Sequence, residues 1–390
     1  MDERPALLAV ATVAPWPPAD GYALRVVHLL RELGRTWKVV LVAPPAGPGW
    51  EPERWGVATF VPVTLGGTWR LLPSQYDPRP LAAAVDPLVA GLRPRAALLW
   101  AGAEHLGFRP GFPPAVADRI DCMALVAWRG FRAARGPRER LRALSDAWAY
   151  ARYERRVVRR IPATVVVGED DARALRRLAG RARPGPGPGS VHVVPNGVAL
   201  PRADVKREGP RPTVIFSGVM AYRPNAEAAD WFAREVWPLV RAEVPAARFA
   251  IAGREVTPEV ARLAEVPGVE VLGPVPDMTA ALGEAWVAVA PMRSGAGIKN
   301  KVLEAWAAGT PVVMTRLAGN GLALDAQAEE LVRDDPGEMA RLVARLLGDP
   351  GARARYGRAG RALVARAHGW EDAGRKLTRL LETLAGAGGP

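Results

Sequence analysis

The segment from residue 290 to residue 313 combines residue types that could bind a phosphate group. An apolar run leads into a glycine-rich loop, and a helical pattern then runs to a second apolar run (APMRSGAGIKNKVLEAWAAGTPVV). Glycines let a backbone approach a ligand closely, and the N–H groups at a helix start attract anions. The candidate residues are two glycines, two lysines and a carboxylate that could accept hydrogen bonds from a ribose diol: Gly295, Gly297, Lys299, Lys301 and Glu304. The segment therefore predicts a nucleotide phosphate site, with a solvated helix start as the alternative.

Three further loops follow apolar runs, as ligand-binding loops of α/β proteins do. They span residues 15–21, 217–225 and 273–277. In the first loop, Gly21 would let a phosphate or a sugar approach the backbone. In the second, Gly218 opens the loop and Arg223 could serve as a phosphate cation, whereas the third could present backbone groups to a base. An ordinary turn or an exposed arginine is the alternative at each position.

Short apolar runs that alternate with helical patterns must position these loops. The runs span residues 6–14, 38–43, 96–100, 115–120, 163–167 and 191–194 in the first half, and residues 213–217, 248–252, 269–272, 287–290 and 311–314 in the second. Such runs are typical of buried parallel strands between covering helices. A polar segment with glycine and prolines, residues 202–212, separates the halves. The pattern predicts an α/β protein with one domain over residues 1–200 and another over residues 201–370.

The composition excludes several classes of protein. Hydrophobic residues make up 49% and charged residues 24% of the 390 residues, values that argue against both a disordered polymer and a membrane-embedded bundle. No apolar run approaches the ~20 residues that span a bilayer. A single cysteine, Cys122, can form neither an intramolecular disulfide nor a cysteine-based zinc site. The start of the chain has no charged region followed by a long apolar stretch. We therefore expect a cytoplasmic protein.

The net charge of +13 is concentrated in one segment. Eleven arginines and three acidic residues lie between Arg129 and Arg160, interleaved with aromatic residues such as Trp128 and Trp148. Arginines with interfacial aromatics are what a helix on anionic lipid requires. Peripheral contact with the inner membrane face is the reading we favour. An anionic glycan acceptor or a solvated helix face are the alternatives, and nucleic acid is not expected although it would use the same charge.

The segment 290–313 resembles the donor-binding signature of retaining glycosyltransferases of family 4 and related bacterial sugar transferases. Further motifs agree in order and spacing: YERRVVRRIPATVVVGEDD from residue 153, PNGV from residue 195, FSGVMAYRPN from residue 216 and HGWE from residue 368. The resemblance covers nearly the whole chain and is stronger in the second half. It implies the GT-B fold, with two facing Rossmann-like domains and parallel sheets, and a C-terminal helix, residues 371–390, that packs back on the first domain.

The resemblance also implies roles for individual residues. Glu304 would bind the ribose hydroxyls, Arg223 with Lys299 or Lys301 would contact the pyrophosphate, and Val275 would frame the base. Gly21 would approach the phosphate or the transferred sugar. Family members usually carry a glutamate eight residues before the position of Glu304, where this chain has Ala296. The resemblance further implies a metal-independent enzyme without a cofactor, in which cationic groups and helix termini stabilise the leaving diphosphate.

The expected function is transfer of a sugar, with retention, from a nucleoside diphosphate sugar to a glycan, a lipid-linked or a small-molecule acceptor. The acceptor hydroxyl would need a base. His105 follows the run 96–100, and Asp118 and Asp121 follow residues 115–117, so these three are the candidates. A structural or solvated histidine is the alternative for His105. Two other functions stay open: an inactive membrane- or polyanion-binding protein on the same fold, and an isomerase or hydrolase of nucleotide sugars.

Overall fold

The chain forms two α/β units. The computed structural model describes residues 3–18, 20–66, 72–134, 136–180, 187, 189–201, 205–295 and 297–387. Contacts divide the chain into one unit of Met1–Asn196 with Trp370–Pro390 and a second unit of Gly197–Gly369. The division after Asn196 lies a few residues before the boundary that the sequence placed at residue 200. Residues 202–204 of the expected linker lie outside the described residues.

The first unit is built on a seven-stranded sheet in which all neighbouring strands are parallel. The strands are β1 (Ala6–Val10), β2 (Lys38–Ala43), β3 (Val57–Pro62), β4 (Ala96–Trp100), β5 (Ala115–Ile120), β6 (Ala163–Val166) and β7 (Val191–Val193). Their order is β3-β2-β1-β4-β5-β6-β7. The helices are α1 (Gly21–Leu33), α2 (Arg79–Leu92), α3 (Met123–Ala133), α4 (Pro137–Arg160) and α5 (Glu169–Ala179). β4 is buried at every residue, as expected for a parallel strand with both faces covered.

The second unit repeats this architecture on a five-stranded parallel sheet. Its strands are β8 (Thr213–Ser217), β9 (Arg248–Ala252), β10 (Val269–Gly273), β11 (Val287–Ala290) and β12 (Val312–Met314), in the order β10-β9-β8-β11-β12. Its helices are α6 (Arg223–Trp231), α7 (Trp237–Glu243), α8 (Pro258–Ala261), α9 (Met278–Glu284), α10 (Asn300–Ala307), α11 (Arg316–Gly319), α12 (Ala326–Glu329), α13 (Pro336–Gly348) and α14 (Pro350–Ala367). A π-helical turn, Phe232–Val236, joins α6 to α7.

The last helix, α15 (Trp370–Ala387), belongs to the first unit although it follows the second in sequence. Its apolar side buries Leu377 and Leu381 completely, in the same core as residues of α1 and β4. The Trp370 ring stacks on the imidazole of His28 in α1, with ring centroids 4.8 Å apart. The C-terminal segment therefore completes the core of the first unit.

The apolar runs read from the sequence are all strands, and the sequence missed one further strand, β3. The residues of β3 are mostly exposed or half-buried, because β3 is the edge strand of its sheet. Without an uninterrupted apolar run, it had no signal of the kind that identified the buried strands. Among the described residues, no helix has both the length and the apolar character needed to cross a membrane.

Candidate functional site

The strand order of the second unit creates a crevice between the loops that follow β8 and β11. From β8 the chain continues to β9 and β10 on one side of the sheet, whereas β11 and β12 lie on the other side. Open α/β sheets bind ligands at this reversal point, beyond the carboxyl ends of the strands. Gly218 follows β8, and the glycine-rich loop of residues 291–299 follows β11. The sheet therefore brings together loops that are about 75 residues apart in sequence.

Lys301, in the first turn of α10, lies at the centre of this crevice. Its ammonium donates to the Asn225 side-chain oxygen at 2.7 Å and lies 4.0 Å from the centroid of the Phe216 ring. Met292 Sδ is 3.9 Å away. Burial, together with the nearby charge of Lys299, lowers the pKa of Lys301 to about 7. The ammonium forms no ion pair within the described part of the chain, so its charge is available to an anionic ligand.

Two other charged residues flank Lys301. Lys299, which is almost fully buried, donates from its ammonium to the Gly297 carbonyl at 2.8 Å. Glu304 follows Lys301 by three residues on α10 and is half-buried. Burial raises the pKa of the Glu304 carboxyl, while the charge of Lys301 acts in the opposite direction. No described residue donates a hydrogen bond to this carboxylate. Glu304 can therefore accept hydrogen bonds from a ligand such as a diol.

The glycines of the site are required by close approach and by backbone conformation. A Cβ on Gly218 would lie 2.6 Å from Asn225 Nδ2 and 3.1 Å from Lys301 Nζ. Gly295 and Gly297 have φ values of 101° and 69°, in the left-handed region that favours glycine. A Cβ on Gly295 would lie 3.7 Å from the Tyr222 hydroxyl, so the loop after β11 runs beside the loop after β8. The two loops thus form one surface around Lys301.

Arg223 is connected to these two loops through Glu227, whereas Val275 follows a strand farther along the sheet. Arg223 starts α6, and its Nε donates to Glu227 at 2.7 Å, while the other oxygen of Glu227 accepts from the Ser294 hydroxyl at 2.6 Å. Arg223 is therefore linked through Glu227 to Ser294, the residue before Gly295. Val275 lies between β10 and α9, and β10 is two strands away from β8 in the sheet. Ala296, the departure from the family pattern, lies outside the described residues.

The first unit has its own reversal point, between β1 and β4. The Thr12 hydroxyl, from the loop after β1, donates to the Ala101 carbonyl at 2.9 Å, and the Tyr22 hydroxyl donates to the same carbonyl at 3.2 Å. Gly21 is the first residue of α1, where the Asp20 side chain accepts from the Ala23 N–H. Gly21 therefore begins a capped helix, and its neighbour Tyr22 contacts the loop after β4.

His105 lies just after β4 in this second crevice, on a 3-10 turn (Glu104–Phe108). Its Nδ1 is 3.0 Å from the Gly102 carbonyl, which can only accept, so Nδ1 carries the proton in the neutral ring. Nε2 then carries the lone pair, and no described residue bonds to it. Burial lowers the pKa of His105, which keeps the ring neutral at pH 7. The neutral ring suits a base, but Nε2 is buried and is not accessible to an acceptor hydroxyl in this structure.

Of the two aspartates expected to follow a strand, Asp121 does and Asp118 does not. Asp118 lies inside β5 rather than after it, and its fully buried carboxylate accepts from Arg25 Nε at 2.7 Å. Arg25 also donates to the Asn196 side chain at 2.9 Å. A carboxylate enclosed in such an ion pair holds elements together and is not accessible to an acceptor hydroxyl. Asp121 follows β5 and is half-buried, with its N–H donating to the Arg119 carbonyl.

Sequence reasoning missed the buried ion-pair network behind His105. Arg119, the residue after Asp118, forms fully buried ion pairs with Glu104 and Glu154. Glu104 Oε2 accepts from the Gly102 N–H at 2.7 Å. Glu154 Oε1 accepts from the Met123 N–H at 2.7 Å. This network ties the turn that carries His105 to β5 and α4. Charged residues inside otherwise apolar runs, such as Arg119 in β5, were the available signal.

Comparisons with known proteins find a family match in the second unit. Residues 211–349 match a family model described as glycosyl transferases group 1. The match begins just before β8 and extends through α13, so it includes the second sheet and the loops around Lys301. No curated protein sequence matches the chain significantly. Among the described residues, no group of histidine, cysteine, aspartate and glutamate side chains could hold a metal ion.

Solved structures with a similar fold span almost the whole chain. HepE from Anabaena, in complex with UDP-glucose, has a TM-score of 0.69 at 12% identity, over 97% of this chain and 100% of HepE. WaaG, a glycosyltransferase involved in lipopolysaccharide biosynthesis, has a TM-score of 0.66 at 11% identity, over 96% and 99%. The α,α-trehalose 6-phosphate synthase from Burkholderia multivorans has a TM-score of 0.64 at 16% identity, over 99% and 100%. At these identities the similarity establishes the fold, and the predicted GT-B class, with two parallel-sheet Rossmann-like units, is confirmed.

Proposed function

We propose that this protein transfers a sugar from a nucleoside diphosphate sugar to an acceptor hydroxyl. The proposal rests on two residues of α10. Among the described residues, the Lys301 ammonium forms no ion pair and the Glu304 carboxylate accepts no hydrogen bond. A diphosphate suits the first and a ribose diol suits the second. The family match over residues 211–349, and the UDP-glucose of the HepE complex, support the same class of donor.

In the proposed reaction, the bond between the sugar and the diphosphate breaks and a bond to the acceptor oxygen forms. Lys299, Lys301 and the start of α10 would stabilise the negative charge on the leaving diphosphate, without a metal ion or another cofactor. His105 is a candidate base for the acceptor proton, because Nε2 bonds to no described residue, although that atom is buried. Asp121 stays a candidate, and retention stays a prediction of the family resemblance.

The test is a thermal-shift panel of UDP, GDP, ADP, dTDP and their glucose conjugates, since a ligand that binds only the folded state raises the melting temperature. We expect the diphosphate of one base to stabilise the wild type and to lose its effect on Glu304→Ala. Glu284→Ala, on the neighbouring helix α9, is the control for loss of an acidic residue in the same unit. An unchanged ligand shift in Glu304→Ala would contradict the proposed site.

The same panel separates the alternative functions. A protein that binds only polyanions would show no shift with any nucleotide but would be stabilised by heparin in low salt. A nucleotide-sugar isomerase or hydrolase would consume the donor identified by the panel in the absence of any acceptor. Turnover that requires an added acceptor would distinguish the proposed transferase from both.

A further inference from the structure

The paired helices α3 and α4 expose large apolar side chains that the core of the first unit does not use. None of the residues 137–146, the described first ten residues of α4, is buried. The buried residues of α4 begin only at Ala147. Leu141, Leu144 and Trp148 are 71%, 45% and 67% exposed. Their spacing of three and four residues places them on one side of the helix.

The neighbouring helix α3, which packs against α4, also exposes aromatic side chains. Trp128 of α3 is 46% exposed, and its ring stacks on Phe131 with centroids 5.3 Å apart. Single exposed apolar residues are common on soluble proteins, but a group of them marks an interaction site. We call Trp128, Phe131, Leu141, Leu144 and Trp148 the apolar patch.

Exposed arginines accompany the apolar patch along α4. Arg138 and Arg142 lie in the same turns as Leu141 and form no ion pair within the described residues. The Arg152 guanidinium lies over the Trp148 ring, 5.7 Å from its centroid. Further along the helix, Arg155 and Arg156 are also exposed. The surface thus combines large exposed apolar side chains with the long cationic side chains of nearby arginines.

We propose that the α3–α4 surface docks on an anionic lipid bilayer. The arginines would lie among the lipid phosphates, and the apolar patch would enter the boundary between head groups and acyl chains. A second copy of this chain, which has a net charge of +13, would bring the same positive charge to the surface and be repelled. A polyanion such as heparin would match the arginines but would offer nothing apolar to Leu141 and Leu144. This inference does not depend on the proposed sugar transfer.

The test is co-sedimentation of the full-length protein with vesicles of phosphatidylcholine alone or mixed with an equal amount of phosphatidylglycerol. We expect binding to the mixed vesicles that weakens as salt is raised, and little binding to phosphatidylcholine alone. Equal binding to both vesicle types, or to neither, would overturn the proposal.

Two double variants separate the two contributions. Arg138→Glu with Arg142→Glu should weaken binding to the mixed vesicles by roughly tenfold or more, because each basic residue near the surface contributes to the attraction. Leu141→Ser with Trp148→Ser should weaken it by roughly tenfold or more through the apolar contribution, while heparin binding stays unchanged. If the serine variant binds vesicles like the wild type, or loses heparin binding in parallel, the partner is a polyanion and not a bilayer.

Matched variants elsewhere control for charge and for apolar surface. Arg341→Glu with Arg345→Glu makes the same charge change on exposed positions of α13. Leu92→Ser with Leu239→Ser removes two leucines that are 43% and 46% exposed on α2 and α7. Both controls should bind the mixed vesicles like the wild type, and equal losses in the controls would contradict the proposal. A wild type that self-associates without lipid, together with a monomeric serine variant, would assign the surface to a second copy instead.

Discussion

At the residue scale, the charge of Lys301 decides how the candidate donor site responds to pH. The Phe216 ring and Met292 surround the ammonium, and Lys299 adds a like charge. These surroundings lower the pKa of Lys301 to about 7, so this ammonium is only partly charged at neutral pH in the free protein. A bound diphosphate would favour the charged form and raise this pKa. Binding is therefore expected to take up a proton.

The direction in which ligand affinity changes with pH follows from that proton uptake. Above pH 7 the free Lys301 is neutral, so a ligand must bind together with a proton, and affinity falls as pH rises by up to roughly tenfold per pH unit. Below pH 7 the free ammonium is already charged and the affinity should level off. Calorimetric titration in two buffers of different ionisation enthalpy would measure the proton uptake. A nucleotide sugar is the suitable ligand, because its phosphates do not titrate in this range.

Lys301→Met should lose both the affinity and its pH dependence. The control is Lys206→Met, which removes another lysine of the same unit that is half-buried and whose pKa is lowered, to about 8, by burial. An identical pH dependence in wild type and Lys301→Met would assign the titration to another group. The sequence predicted that Lys301 is a cation of the site. It could not give the lowered pKa, because Phe216 and Asn225 come from β8 and α6, far away in the chain.

At the scale of elements, the candidate site depends on how closely neighbouring strand ends approach each other. The Gly218 N–H donates to the Ala252 carbonyl at 3.1 Å, and the Met220 N–H donates to the Arg254 carbonyl at 2.9 Å. A Cβ on Gly253 would lie 1.7 Å from the Gly218 carbonyl oxygen. Gly253 follows β9 and has a φ of 147°. It therefore allows the loop after β9 to support the loop after β8.

Gly253→Ala should displace the Gly218 loop and weaken nucleotide binding by roughly tenfold or more, although residue 253 is not a predicted ligand contact. The overlap should also destabilise the fold by about 1–3 kcal/mol. Thermal unfolding and nucleotide titration would measure the two effects. Gly348→Ala in α13, where a Cβ meets nothing within 4 Å, is the control and should change neither. Wild-type affinity in Gly253→Ala would show that the two loops are independent.

The strands were predictable where burial on both faces requires an uninterrupted run of apolar residues. The strand bounds 96–100, 213–217 and 248–252 coincide with those of β4, β8 and β9 because all three are almost fully buried. Edge strand β3 is mostly exposed or half-buried and has no such run. Asp118 was expected after the strand, and only the structure reveals the partner that allows a carboxylate inside β5, Arg25 of α1.

At the scale of the whole molecule, the two units differ in how the chain builds them. All strands and helices of the second unit come from one continuous stretch, Gly197–Gly369. The first unit needs both ends of the chain, because α15 returns to it. The family resemblance implied that the C-terminal helix packs back on the first domain, but it did not identify the residues in contact. The contact of Trp370 with His28 joins positions that are far apart in sequence, and only the structure reveals it.

This difference predicts how fragments of the chain behave. Residues 197–369 should fold alone and keep the nucleotide affinity of the full chain, because the sheet and the residues around Lys301 are all present. Residues 1–196 should not fold, since they lack Trp370, Leu377 and Leu381, which are buried against the first unit. Burial of each such side chain contributes about 1.5–3 kcal/mol, and total stabilities are only about 5–15 kcal/mol.

The decisive comparison adds the missing helix back. Residues 1–196 joined through a glycine–serine linker to residues 370–390 should regain cooperative thermal unfolding, measured by circular dichroism, without regaining nucleotide binding. The matched control carries Leu377→Asp and Leu381→Asp in the added helix and should stay unfolded, because neither charge could be buried without a partner. Cooperative unfolding of residues 1–196 alone would mean that α15 only covers a unit that is already stable. The docking of the C-terminal helix would then be dispensable for folding.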